Sequence, residues 1–96
     1  MKICLAGDTF LGGDLKGSNM DNIILFSEFY NADYRIINLE QAVSDSSLIM
    51  SKGTLYTDSK SIEQLKRLNI NAVNLANNHI QDKGPTGILD TIHHLN

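Results

Sequence analysis

Short apolar runs that end in polar residues recur three times along the chain. The runs span residues 2–6, 34–39 and 71–76. They lead into Asp8, into Glu40, and into Asn78 with His79, respectively. Apolar runs of this length, bounded by turn-forming residues, are typical of buried β-strands. If the strands are parallel, their polar ends meet at one edge of a sheet, which is where open α/β sheets bind ligands.

Helical patterns separate the predicted strands. The first helix is predicted over residues 21–30, although this segment is apolar almost all round and a strand over residues 23–26 is an alternative. The second begins within residues 58–61, where Ser61 and Gln64 have the spacing of a capping box, and it ends at Asn69. Its predicted buried stripe consists of Ile62, Leu65 and Leu68.

A third helix is predicted to begin at Gly84-Pro85, because proline is favoured in a first helical turn. We expect Asp82 to cap it. Its expected buried face consists of Ile88, Leu89, Ile92 and Leu95, and His94 has the spacing to pair with Asp90. Residues 41–57 form a long connection without clear periodicity, a kind of segment that often carries function. The order β-α-β-α-β-α predicts an α/β fold with a parallel sheet and right-handed crossovers.

Composition narrows the class of protein. A chain of 96 residues is at most one domain, and 42% hydrophobic with 20% charged residues is ordinary for a globular protein. The net charge of −3 gives no basic surface for nucleic acid. A single cysteine, Cys4, excludes an internal disulfide and fits a reducing compartment, so we expect a cytoplasmic location. We expect no signal peptide, and the sequence has no apolar stretch long enough to span a membrane.

The residues expected at the strand ends have the chemistry of a metal site. Hard divalent cations prefer oxygen ligands, which Asp8, Glu40 and the Asn78 carbonyl supply. His79 would then act as a general acid. The alternative for Asn78 and His79 is an ordinary turn, since asparagine is common there. The glycine-containing loop after the first strand has neither the dinucleotide-binding nor the P-loop spacing.

These residues occur within three longer motifs. The motifs are Gly7-Asp8-Thr9-Phe10-Leu11-Gly12, Asn38-Leu39-Glu40, and Ala76-Asn77-Asn78-His79 followed by Asp82 and Gly84. In this order and spacing, they resemble the CapA-type capsule and poly-γ-glutamate biosynthesis proteins, which belong to the calcineurin-like metallophosphoesterase superfamily. The resemblance covers the chain from the first strand through the last helix.

The resemblance implies an α/β sandwich whose strand ends hold divalent metal, with Mn, Mg, Zn or Fe as the candidates. Asp8 matches the first ligand motif, and Glu40 stands where related phosphoesterases place a metal-bridging carboxylate. Asn78 and His79 match the superfamily's Gly-Asn-His element, in which the asparagine ligates metal and the histidine assists the chemistry. Phe10 stands where the superfamily has a histidine ligand, which argues against a complete two-metal centre.

The resulting hypothesis is a metal-dependent, phosphoesterase-like hydrolase in capsule or poly-γ-glutamate synthesis, acting on an anionic polymer or a phosphoester. The alternatives are a non-catalytic accessory or polymer-binding module, and a structural fragment with a vestigial site. Three strands make a small sheet with two open edges. We therefore expect a further C-terminal half or self-association to complete the domain, and we expect the 96-residue chain alone to be inactive.

Overall fold

Strands and helices alternate along most of the chain. The computed structural model describes residues 1–21, 23–24, 26–47 and 55–96. The elements are β1 (Ile3–Thr9), α1 (Ser27–Asn31), β2 (Tyr34–Leu39), β3 (Ala42–Val43), β4 (Tyr56–Thr57), α2 (Ser61–Arg67), β5 (Ala72–Asn74) and α3 (Gly84–Leu95), with a 3-10 turn at Gly13–Leu15. The expected α/β class is confirmed.

The main sheet has three parallel strands, as predicted, and their order in the sheet is β1-β2-β5. β2 has the predicted bounds, β1 extends further than expected to Thr9, and β5 is shorter than expected. A second parallel sheet, formed by the two-residue strands β3 and β4, was not predicted. It lies within the segment that the sequence left as a long connection. The apolar run at residues 48–50 and Lys52 lie outside the described residues.

The hydrophobic core lies against one face of the main sheet. Ile37 and Leu39 alternate along β2 and pack in one cluster with Leu65 and Leu68 of the second helical segment. On β1, by contrast, Leu5 is 74% exposed. The expectation that β1 is covered on both faces is therefore wrong, because this edge strand has an uncovered face.

The first two helices differ from their predicted forms at their starts. α1 begins only at Ser27, and residues 23, 24 and 26 are not in a strand either. α2 has no side-chain cap, so the predicted capping box is wrong. The Gln64 amide instead donates to the carbonyls of Leu15 and Ser18, where it holds the loop after β1. Asn69 ends this helical segment in the left-handed conformation, with φ of 55°.

α3 begins at Gly84, as predicted, but it buries a different side. Gly87 and Thr91 are buried, whereas Leu89 is 67% exposed. The Thr91 hydroxyl accepts a hydrogen bond from the Val43 backbone N–H at 2.8 Å, which fixes α3 on β3. A side chain at position 87 would meet Lys83 Cβ at 2.3 Å, so the helix start requires glycine there. Small residues, not large apolar ones, therefore make this contact.

Two smaller expectations about α3 are also wrong. Ile92, which was expected on the buried face, is exposed, although Leu95 does pack against the core. Asp90 accepts a hydrogen bond from the Ser44 hydroxyl at 2.6 Å, so its carboxylate faces β3 and not His94.

A buried arginine closes the opposite end of the sheet from the strand tips. Arg35 stands near the start of β2 and is only 9% exposed. Its guanidinium donates hydrogen bonds to four backbone carbonyls, those of Phe29, Tyr30, Ala32 and Asn69. The cation therefore joins the end of α1 to the turn after α2, and every acceptor it uses belongs to the main chain.

Candidate active site at the strand ends

A polar ladder crosses the three strands of the main sheet near their carboxyl ends. Asp8, Asn38 and Asn74 are register partners on β1, β2 and β5. The Asn74 amide donates to Asn38 Oδ1 at 2.8 Å, and Asn38 Nδ2 donates to Asp8 Oδ1 at 2.7 Å. The β1–β2 register shifts between Leu5 and Asp8. Such a bulge re-aims a side chain, and here it brings Asp8 level with Asn38.

Glu40 meets the same asparagine. Asn38 Nδ2 donates a second hydrogen bond to Glu40 Oε2 at 2.6 Å. The oxygens of two carboxylates, from Asp8 and Glu40, thus lie within 2.7 Å of one nitrogen atom. The structure therefore brings together two of the predicted ligand residues, joined by the amide of Asn38, a residue of the Asn38-Leu39-Glu40 motif for which the sequence predicted no role of its own.

Asn77 fixes which way the Asn38 amide points. Asn77 Oδ1 accepts from the backbone N–H groups of His79 and Ile80, each at 3.1 Å. Its Nδ2 donates to the Leu39 carbonyl at 2.8 Å and to Asn38 Oδ1 at 3.2 Å. Since main-chain groups determine the Asn77 orientation, they also direct the Asn38 N–H groups toward the carboxylates.

His79 lies beside this carboxylate pair. Its Nδ1 is 2.6 Å from Asp82 Oδ2, and its Nε2 is 4.0 Å from Glu40 Oε1. An ionised carboxylate only accepts hydrogen bonds, so Asp82 keeps a proton on Nδ1 and leaves Nε2 facing Glu40. The expectation that Asp82 caps α3 is wrong, because α3 has no side-chain cap.

The sequence comparison decides the family. A family model described as bacterial capsule synthesis protein PGA_cap matches residues 2–96. The chain belongs to the bacterial capsule synthesis protein family. The resemblance to CapA-type capsule proteins is thereby confirmed, and a search of curated proteins finds no match. Across the described ranges of this capsule synthesis protein, we find no helix with the length and apolar character needed to cross a membrane.

Asn78 takes a different position from its neighbour. Its side chain is exposed, and it is Asn77 whose amide enters the hydrogen-bond network at the strand ends. The ligand role of Asn78 stays a prediction. Asn38 and Asn74 were the residues that the sequence reasoning missed. Their signal was an amide directly after two apolar residues in each strand, Ile36-Ile37 in β2 and Ala72-Val73 in β5, at positions that a core strand fills with apolar side chains.

Asp82 and Lys83 also hold the start of β4 close to the site. Asp82 Oδ2, which contacts His79, accepts the Leu55 backbone N–H at 2.8 Å. Lys83 is 1% exposed and places its ammonium 4.2 Å from the centre of the Tyr56 ring. The imidazole and β4 are therefore anchored through two consecutive residues, Asp82 and Lys83.

The donor set determines what kind of cation the site fits. Among the residues described, no group of three or more His, Cys, Asp or Glu side chains is arranged to hold a metal ion. Two carboxylates converging on one point nevertheless fit a magnesium-type ion, which is usually held by one or two carboxylates and keeps several waters. A zinc cage of four protein ligands does not fit this arrangement.

Proposed function

We propose that this capsule synthesis protein is a cation-dependent hydrolase acting at its strand ends on a phosphoester or an anionic polymer. The observation that carries the proposal is the placement of His79 between two carboxylates of different roles. Asp82 holds Nδ1 at 2.6 Å, and Glu40 of the converging pair lies 4.0 Å from Nε2. An imidazole oriented on one nitrogen and free on the other is a common general acid–base arrangement.

Electrostatics support a cation at the Asp8–Glu40 pair. Two ionised carboxylates about 5 Å apart repel by roughly 3 kcal/mol at an effective dielectric constant near 20. A divalent cation would replace that repulsion with attraction. When bound, it would also polarise a phosphoryl oxygen or lower the pKa of a bound water. Asp8 and Glu40 are the residues that would hold it.

His79 would handle the proton of the leaving group. In hydrolysis, a water oxygen forms the new bond to phosphorus while the ester oxygen leaves. His79 would begin this step as the imidazolium, with a proton on each ring nitrogen. The leaving oxygen takes the proton from Nε2, and the proton released by water later restores it. Asp82 stabilises the protonated imidazole and keeps its ring in one orientation.

A second candidate function is a non-catalytic polymer-binding module of capsule synthesis. The observation that favours it is that the carboxylate pair already has a donor, the Asn38 amide, at 2.7 and 2.6 Å. A site satisfied in this way can hold a polar polymer without any cation. The two functions differ in whether ligand binding depends on divalent cation.

The test is a cation titration beside a rate measurement on the full-length protein, with a generic phosphoester and with polyglutamate as substrates. Glu40→Ala removes a proposed ligand, so cation affinity and turnover should fall together. His79→Ala should leave cation affinity unchanged and lower turnover by ~10²–10⁴-fold, the usual worth of a positioned acid. Asp45→Ala is the matched control, because Asp45 is an exposed carboxylate of the loop after β3.

The outcomes separate the parts of the proposal. Unchanged cation affinity in Glu40→Ala would remove the ligand assignment. Undiminished turnover in His79→Ala would place the proton transfer elsewhere. Polymer binding that persists in the presence of EDTA, without turnover in any variant, would favour the binding module.

A further inference from the structure

We propose that Asn38 is a built-in competitor of the cation, so that the amide and the cation exchange at the carboxylate pair. This inference rests on the proposed cation site, and it assigns to Asn38 the role of lowering the cation affinity of that site. Asn38 Nδ2 occupies the point on which Asp8 Oδ1 and Glu40 Oε2 converge, at 2.7 and 2.6 Å. Both of its N–H groups are thereby used on the oxygens that a hard cation needs.

Two asparagine side chains on the side away from the carboxylates hold the Asn38 amide in its orientation. Asn38 Oδ1 accepts hydrogen bonds from Asn74 Nδ2 at 2.8 Å and from Asn77 Nδ2 at 3.2 Å. If the Asn38 amide turned over, its oxygen would face two carboxylates and its N–H groups would face two other N–H donors. Asn77 cannot follow, because the backbone N–H groups of His79 and Ile80 hold its own oxygen. The asparagine chain therefore opposes cation entry.

The affinity of the site for a divalent cation should consequently rise when the Asn38 amide is removed. Hydrogen bonds to charged groups are among the stronger ones in proteins, so losing two of them to a cation has a substantial cost. Asn38→Ala abolishes that cost and leaves the carboxylates without a shared donor. Asn38→Asp goes further, since it places a third carboxylate at the same point.

The experiment measures Mg²⁺ and Mn²⁺ binding by calorimetry, together with the melting temperature in EDTA and in excess cation. We expect Asn38→Ala to bind at least about tenfold more tightly than the native protein, the change expected for the loss of a single charged hydrogen bond. Asn38→Asp should bind more tightly still and melt lower in EDTA, with cation restoring its melting temperature. Asn74→Ala, at an exposed position, removes one donor behind Asn38 and should give a smaller gain in affinity.

Asn71→Asp is the matched control for added charge. Asn71 precedes β5 at the other end of the same sheet, and its Oδ1 accepts the Arg35 N–H, a bond that aspartate can keep. It should leave cation affinity unchanged. If an Asn38 variant does not fold, Asn74→Ala takes its place in the comparison, because we expect its cation affinity to rise as well.

The outcomes distinguish this inference from the proposed function. Weaker or equal binding in both Asn38→Ala and Asn74→Ala, with normal binding by the native protein, would overturn the competitor role and leave the cation site standing. No binding by the native protein, but binding by Asn38→Ala, would support the blocking role and contradict cation dependence in the native protein. No binding by the native protein or by any variant would overturn both.

Discussion

The two ends of β2 each carry a polar cluster, but only the cluster at the start of the strand is buried, which makes this the closed end of the strand and the other the open end. At the start of the strand, the Arg35 guanidinium donates to four backbone carbonyls and is 9% exposed. At the other end, Asn38 donates to Asp8 and Glu40, and Asp8 is exposed. The first cluster matches one cation to fixed main-chain acceptors. The second gathers carboxylate oxygens around a single amide and leaves accepting capacity toward solvent.

This difference indicates how to tell structural from functional polarity in a small α/β domain. A buried charge whose partners are all main-chain groups is held in place by the backbone, and its hydrogen bonds stabilise the segments that it joins. Carboxylates brought together with only a neutral donor between them reduce stability unless something else binds there. Substitutions at the two ends should therefore move stability in different directions.

The largest expected effect on stability comes from the closed end. Arg35→Met keeps much of the apolar stem but removes the guanidinium that donates to the carbonyls of Phe29, Tyr30, Ala32 and Asn69. Loss of charged hydrogen bonds with unsatisfied buried groups should cost about 3 kcal/mol or more of unfolding free energy. Thermal denaturation followed by circular dichroism measures this. Arg67→Met, at an exposed position, is the control and should have little effect.

A milder change is expected at the open end. Glu40→Gln removes one charge of the pair and keeps an oxygen that can accept from Asn38 Nδ2. We expect the unfolding free energy in EDTA to stay near the native value or to rise, because relief of the roughly 3 kcal/mol repulsion between the carboxylates opposes the weakening of one charge-assisted hydrogen bond. Cation affinity should fall. Glu63→Gln, in an exposed ion pair with Lys66 at 3.1 Å, is the control. A large loss of stability in Glu40→Gln would mean that this end is structural too.

The open end was largely predictable because its signal is local. An apolar run that stops at a charged or amide residue predicts a strand tip, and parallel tips share an edge, which was enough to bring Asp8 and Glu40 together. The role of Asn38 was not predictable in this way. It depends on the register shift in β1, and a one-residue shift changes which face a side chain takes.

The remaining errors also have physical causes. β3 and β4 are two residues long and therefore show no alternation from which a strand could be predicted. On α3, the close contact with β3 is made by Gly87 and Thr91, so the buried side does not follow the large apolar residues. The Arg35 cluster was missed because its acceptors are carbonyls, which every residue has and no sequence pattern marks.

A surface ion pair gives the smallest expected effect. Lys16 Nζ lies 2.9 Å from Asp58 Oδ2 on two partly exposed side chains. The hydrogen bond from Lys16 lowers the pKa of the Asp58 carboxyl, and the same hydrogen bond raises the pKa of Lys16. A carboxyl with a lowered pKa stabilises the folded state above its unfolded pKa, about 3.9 for Asp, and loses that contribution as pH falls through its folded pKa.

Lys16→Met should therefore lower the melting temperature slightly at pH 7 and leave it unchanged at a pH below the folded pKa of Asp58. Asp58→Asn, which keeps an acceptor for the Lys60 backbone N–H, should abolish the effect of Lys16→Met when the two are combined. A difference between native and Lys16→Met that persists undiminished in acid would mean that Lys16 acts through packing of its stem and not through its charge.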